Sequence, residues 1–363
     1  MKGALRASKP SLYTLLVLLG LVVLSGPASG VTPYTVTDLG TLGGRSAAYA
    51  INTSGQVVGS AYTKRGREHA FLWDGGVMQD LGTLGGGWSV AHAINASGQV
   101  VGTTFTASSK ERAFLWENGT GMQDLGSFST SRWSGASGIN ASAQVVGWAD
   151  TTTGDHAVMW DHGVMHDLGT IGGYQREAYA INDSGQVVGM AYTENQKEHA
   201  FLWEDGVMAD LGTLGGLYSL AFGINASAQV VGTARTPSEV YHAFLSENGA
   251  GMQDLSTLGG TSSEARAING SGQVVGCSKI ASGEEHAFLW ERGVMYDLND
   301  LVSHGSGWEL RVAYGINDVG QIVGCGDHGG LTRAFLLTPI PEPSTLGLLA
   351  FAFLVAMRWW RRR

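Results

Sequence analysis

The sequence predicts an all-β fold: a seven-bladed β-propeller of roughly 43-residue, four-stranded blades, with the ring closed by an N-terminal strand that completes the last blade. Three observations predict it. One unit recurs seven times, each unit holds four short apolar runs divided by turn residues, and the first and last units are incomplete in complementary ways.

Between residues 34 and 340 a phrase close to DLGTLGG, then AxAINxSGQVVG, a variable stretch, HAFLW, a turn and VM returns throughout. The Asn of Ile-Asn falls at Asn52, Asn95, Asn140, Asn182, Asn225, Asn269 and Asn317, in steps of 43, 45, 42, 43, 44 and 48. The Asp of Asp-Leu falls at Asp38, Asp80, Asp124, Asp167, Asp210, Asp254 and Asp297. A period in the low forties with four strands per unit is that of a propeller blade.

In the first unit, the first strand contains Ala48 to Ile51 and turns at Asn52, Thr53, Ser54 and Gly55. The second begins at Gln56, Val57 and Val58; the third is His69 to Trp73, turning at Asp74, Gly75 and Gly76; the fourth runs from Val77 to Leu81 and leaves through Gly82 to Gly86. Short β-forming runs bounded by Asn, Asp, Ser and Gly are the strand-and-turn signature. The chain starts with a lone fourth strand, Tyr34 to Leu39, and ends with a third strand, Arg333 to Leu337, that lacks its fourth. Pairing the two covers both edges and closes the circle.

Four residues before each Asn stands an alanine: Ala48, Ala91, Ala136, Ala178, Ala221, Ala265 and Ala313. Two before it come Ala50, Ala93, Gly138, Ala180, Gly223, Ala267 and Gly315. In a regular strand these positions share a face, which makes this the strand lining the channel.

Composition agrees with a folded repeat. Glycine occurs 55 times in 363 residues, against 7 prolines, and is expected in the turns and where blades pack closely. Hydrophobic content of 44% can build a core, and two cysteines exclude a disulfide scaffold or a Cys-rich zinc module.

The two ends read differently. Lys2, Arg6 and Lys9 precede an apolar run from Leu12 to Leu24 that breaks at Gly26 and Pro27. Residues 1–30 are therefore expected to be a secretory signal peptide, with a membrane anchor as the alternative. At the other end, in residues 341–363, Pro341, Glu342 and Pro343 lead into an apolar run from Leu346 to Met357 and then Arg358, Trp359, Trp360 and Arg361 to Arg363. This order resembles the PEP-CTERM sorting signal of Gram-negative bacteria. The resemblance implies recognition of the Pro-Glu-Pro motif by an exosortase, transient membrane anchoring through the C-terminal helix, and association with exopolysaccharide-producing cells. A plain tail anchor is the alternative. Either way the body, residues 31–340, is expected at the cell surface or in the extracellular matrix. Of the 22 basic and 31 acidic residues, seven basic ones and a single acid, Glu342, lie in these ends, which leaves the body 15 basic and 30 acidic groups. A net charge of −15 excludes a nucleic-acid or anionic-membrane surface.

The blades are similar to the HAF repeat, an extracellular family named for its His-Ala-Phe triplet. HAFLW, DLGTLGG and AINxSGQVVG carry the resemblance. It implies an exported repeat protein, often joined to the same C-terminal signal, and no particular activity.

The His of that triplet occurs as His69, His156, His199, His242 and His286, but Arg112 and Arg333 fill the same slot. Arginine neither ligates metals nor acts as a base, so the slot is read as a structural hydrogen-bond donor to a turn carbonyl or to the repeated Asp. The Asp is read as a turn anchor, and six of the repeated Asn residues, although in Asn-x-Ser sequons, as turn residues. No metal or cofactor is expected. Cys277 and Cys325 hold equivalent positions in neighbouring blades and could pair after export.

The loops entering the first strand carry the features that do not repeat. Trp88, Trp133, Tyr174, Tyr218 and Trp308 are expected on one end of the propeller, rimming the channel mouth, either to stack on sugar rings or to pack between blades. Three functions stay open. The leading one is a non-enzymatic surface or matrix propeller that binds an extracellular polysaccharide or a surface protein. A propeller-type polysaccharide lyase or hydrolase is the second, although the nearest thing to a catalytic cluster is Glu264 with Arg266. The third is a structural spacer.

Overall fold

The computed structural model describes residues 32–129, 132–152, 154–247 and 251–341. The expected signal peptide and, in the sorting segment, Glu342, Pro343 and the apolar run after them lie outside the described residues. The unit Tyr34–Pro339 consists of seven four-stranded antiparallel sheets, and the 3-10 turn Leu298–Asp300 is the only helical element among the described residues.

β1 (Tyr34–Asp38) leads into the first blade: β2 (Gly43–Ile51), β3 (Val57–Thr63), β4 (Glu68–Asp74) and β5 (Val77–Asp80), each hydrogen-bonded to the next. The same order is numbered through to the last blade, β26 (Trp308–Ile316), β27 (Ile322–His328) and β28 (Leu331–Pro339). β1 pairs antiparallel with β28, from Tyr34 opposite Pro339 to Asp38 opposite Phe335. The N-terminal strand is thus the outer strand of the seventh blade, and the ring closes as the incomplete terminal units predict.

Each core cluster is shared by two blades. Val58, Ala70, Leu72 and Leu81 of the first pack with Ala91, Ile94, Val100, Phe114 and Trp116 of the second. The Phe of the His-Ala-Phe triplet is fully buried at Phe71, Phe114, Phe201, Phe244, Phe288 and Phe335, each contributing about 1.5–3 kcal/mol from burial. In the third blade Val158 takes that place, and the large side chain buried beside it is Trp160.

The repeated Asn does more than turn the chain. Asn182 Oδ1 accepts from the N–H groups of Ser184 (3.1 Å) and Gln186 (3.0 Å), which shapes the hairpin. Its Nδ2 donates to Gln186 Oε1 at 2.7 Å and to the carbonyl of Asn225 in the next blade at 3.1 Å. All seven Asn residues repeat this last bond, at 3.0–3.2 Å, and Asn317 returns it to Asn52. A closed belt of buried side-chain amides therefore ties every blade to the next around one end of the axis.

The inner strand departs from the regular pattern. Ala48 pairs with Gly59 and Ala50 with Val58, so a bulge inserts Tyr49 between them, and the register shifts at the corresponding place in all seven blades. Ala48 and Ala50 oppose consecutive residues of β3 and so point to opposite sides. The expectation that they share a channel face is corrected: Ala48 and its counterparts are fully buried in the sheet-to-sheet core. The bulge also accounts for the last glycine of GQVVG. A Cβ on Gly59, Gly102, Gly147, Gly189, Gly232, Gly276 or Gly324 would stand 1.9–2.0 Å from a carbonyl of its own blade's inner strand. Close approach within the blade, rather than between blades, requires glycine there.

Candidate functional site

The extra residue of each bulge faces the axis. Tyr49, His92, Ser137, Tyr179, Phe222, Arg266 and Tyr314 occupy this position and line an axial cavity of about 230 Å³. Around the wall Tyr179 packs on Phe222 (ring centroids 5.5 Å apart), and the Arg266 guanidinium lies over Phe222 at 4.8 Å and Tyr314 at 5.6 Å. Tyr314 meets Tyr49 edge-on at 5.1 Å, and Tyr49 meets His92 at 6.4 Å. Six of the seven side chains thus form a continuous arc, with Ser137 as the gap. The isoleucines before the belt, such as Ile51 and Ile181, line both this cavity and a second one, of about 290 Å³, at the Asn end.

Carboxylates stand directly behind the wall. Arg266 pairs with Glu264 at 2.5 Å, Tyr179 hydrogen-bonds Glu177, and Tyr49 is 3.4 Å from Ser60 Oγ, which donates to Glu68 at 2.7 Å. Burial raises the Glu177 carboxyl above its usual range, with Asp155 and Glu198 adding to the rise, and burial likewise raises Glu264, with Glu285 adding. Burial raises the Tyr49, Tyr179 and Tyr314 phenols and lowers His92 to about 4, so this histidine is neutral at physiological pH. Arg266 is then the one cation of the wall, and it is already paired.

Of the residues singled out in the sequence, Trp88, Trp133, Tyr218 and Trp308 lie outside the cavity lining. Trp88 packs on Phe105 at 5.2 Å and donates to Glu68 at 3.0 Å. Tyr218 lies beneath Arg235 at 4.7 Å and Lys197 at 5.4 Å, and Trp308 stacks on His328 at 4.6 Å. Trp133 is 53% exposed, and Tyr174 falls in the inner strand Gly172–Ile181. Pro341, the first residue of the sorting motif, is exposed.

In six of the seven blades the His slot is a structural donor position. His69, His156, His199, His242 and His286 each contact the blade's Asp at 2.5–2.9 Å, and Arg112 approaches Asp124 at 3.5 Å. The same Asp accepts the backbone N–H two residues on, as Asp210 does from Gly212 at 2.7 Å. Cys277 and Cys325 are both free.

The sequence reading missed the cavity wall apart from Arg266. The signal was present: in the phrase Ala-x-Ala-Ile-Asn, the x alone varies widely, as Tyr, His, Ser, Tyr, Phe, Arg and Tyr.

Residues 339–363 match the PEP-CTERM protein-sorting motif. The motif implies export and processing by an exosortase-type enzyme. No curated protein matches the sequence. Among solved structures, the chain is similar to a puromycin-hydrolysing peptidase of Mycobacterium tuberculosis, with a TM-score of 0.55 and 12% identity over 85% of this chain and 54% of that one. It is also similar to virginiamycin B lyase of Staphylococcus aureus, with a TM-score of 0.54 and 11% identity over 85% of this chain and 100% of the lyase. The chain spans about half the length of the peptidase. At these identities the likeness is one of fold.

Proposed function

We propose that this protein is an exported, non-catalytic propeller of the surface or matrix of a Gram-negative-type bacterium, and that it binds an extracellular polysaccharide through the end opposite the Asn belt. The observation that carries this reading is the division of labour within the inner strand. Its repeated residues are spent on the scaffold: Ala48 in the core, Asn52 in the belt. The residue that differs from blade to blade faces the axial cavity, where aromatic faces and hydroxyl groups converge. Such a surface suits sugar rings. Exposed Trp133 supplies a further stacking face. The resemblance to HAF repeats and the sorting motif support an extracellular setting.

The test is co-sedimentation of purified protein with the producer's own exopolysaccharide, with chain length followed by size exclusion. Retention without shortening is expected, weakened in Trp133→Ala. Depolymerisation would favour a lyase or hydrolase, and absence of retention would leave only a spacer.

A further inference from the structure

We infer that the axial cavity selects a polysaccharide bearing free amino groups, a glucosamine-type polymer. This rests on the proposed polysaccharide-binding role and specifies its ligand.

The cavity already demonstrates what its walls hold. Arg266 places its guanidinium over the faces of Phe222 and Tyr314, at 4.8 and 5.6 Å, as an internal cation against an aromatic arc. The arc continues beyond the reach of that one cation, through Tyr179 on one side and Tyr49 on the other. Those further rings offer π faces to a second cation. The groups behind them share the preference. Glu177 bonds Tyr179, and Glu68 stands behind Tyr49 through Ser60. Opposing charge is spent: Arg266 is neutralised by Glu264 at 2.5 Å, and His92 stays uncharged because burial lowers it to about 4. An ammonium entering between these rings therefore meets negative potential from aromatic quadrupoles and carboxylates together, whereas a uronate meets repulsion. An acetylated amine gains the stacking and loses the charge. The isoleucine layer, Ile181 among it, stands between this cavity and the belt, so a sugar is held from one end only. A cavity of about 230 Å³ admits one amino-sugar unit of a chain rather than a folded partner.

The experiment is isothermal titration calorimetry of the purified protein with a glucosamine hexamer, its N-acetylated counterpart and a galacturonate hexamer, at near-neutral pH, where the amines still carry charge and the Glu177 carboxyl, raised by burial, is ionised. The free-amine hexamer is expected to bind about tenfold tighter than the acetylated one, the scale of one partly desolvated cation–π contact, and the uronate to show no heat. Tyr179→Leu and Glu177→Gln each bring the amine ligand close to the acetylated one. Glu177→Gln keeps the shape and a hydrogen-bond acceptor, so it reports charge even if Tyr179→Leu perturbs folding. Equal or tighter binding of the acetylated or uronate hexamer, or amine binding untouched by Glu177→Gln, overturns the inference. If no hexamer binds while the native exopolysaccharide is still retained, the inference falls and the proposed function stands. If the native polymer is not retained either, both fall.

Discussion

Replacing Asn182 with alanine measures what the belt contributes. The side chain makes four hydrogen bonds: two accepted by Oδ1 from Ser184 and Gln186, and two donated by Nδ2 to Gln186 Oε1 and to the Asn225 carbonyl. Asn182 is only 6% exposed, so water does not readily replace them. The exposed Ser184 N–H can turn to solvent. The other three bonds, at roughly 1 kcal/mol each, together with a desolvation penalty of about 1–3 kcal/mol for the orphaned Asn225 carbonyl, sum to roughly 4–6 kcal/mol. At about 2 °C per kcal/mol for a unit of this size, the melting temperature should fall by roughly 8–12 °C. Urea and thermal unfolding followed by circular dichroism read this directly, with Ser184→Ala as a control expected within about 0.5 kcal/mol. Asn182→Asp adds a pH arm. Aspartate keeps both acceptor roles but, once ionised, faces two acceptors it cannot serve, so its folded pKa lies above the unfolded value of about 3.9. Its stability contribution is then complete below the unfolded pKa and lost as pH rises through the folded one. The Asp variant should match or exceed the Ala variant in acid and fall below it at neutral pH. A loss under about 1 kcal/mol for Asn182→Ala, or a pH-independent gap between the variants, would refute the belt as a fastening between blades.

Gly189→Ala should prevent folding or cost more than about 3 kcal/mol, because its Cβ would stand 2.0 Å from the Glu177 carbonyl. Gly206→Ala, at φ +86° with nothing within 4 Å, should cost only about 1–2 kcal/mol; similar urea midpoints for the two would sink the bulge explanation. His199→Ala should lose up to about 1 kcal/mol of a half-exposed pair with Asp210, while His199→Arg restores it, since Arg112 naturally holds that slot; an Arg variant less stable than the Ala variant refutes the donor role. Burial raises both thiols, Cys325 to about 11, so each stays protonated near neutral pH. Iodoacetamide should label them slowly in the native protein and rapidly in denaturant, and the fold should lose stability as pH rises past the unfolded thiol value of 9.0. Native labelling as fast as denatured would contradict the burial.

The blade count, the four strands per blade, the closing strand Tyr34–Asp38 and the His–Asp pairing were legible in the sequence, because each rests on a residue type repeated at a fixed spacing. Repetition exposes whatever every blade needs. The candidate site was legible only at Arg266, for two physical reasons. Alternation along a strand assigns faces only while the strand is regular, and the bulge between Ala48 and Ala50 reverses that assignment, sending Ala48 into the core and Tyr49 to the axis. The belt partner of each Asn lies 42 to 48 residues away in the next blade, or 265 away for Asn317, at distances that only closure of the ring makes short. The sequence by itself determined the scaffold, since identical units must stack identically. Tertiary structure alone decided which variable side chains face one another across the axis, since that depends on the local break in the strand and on the seven blades meeting there.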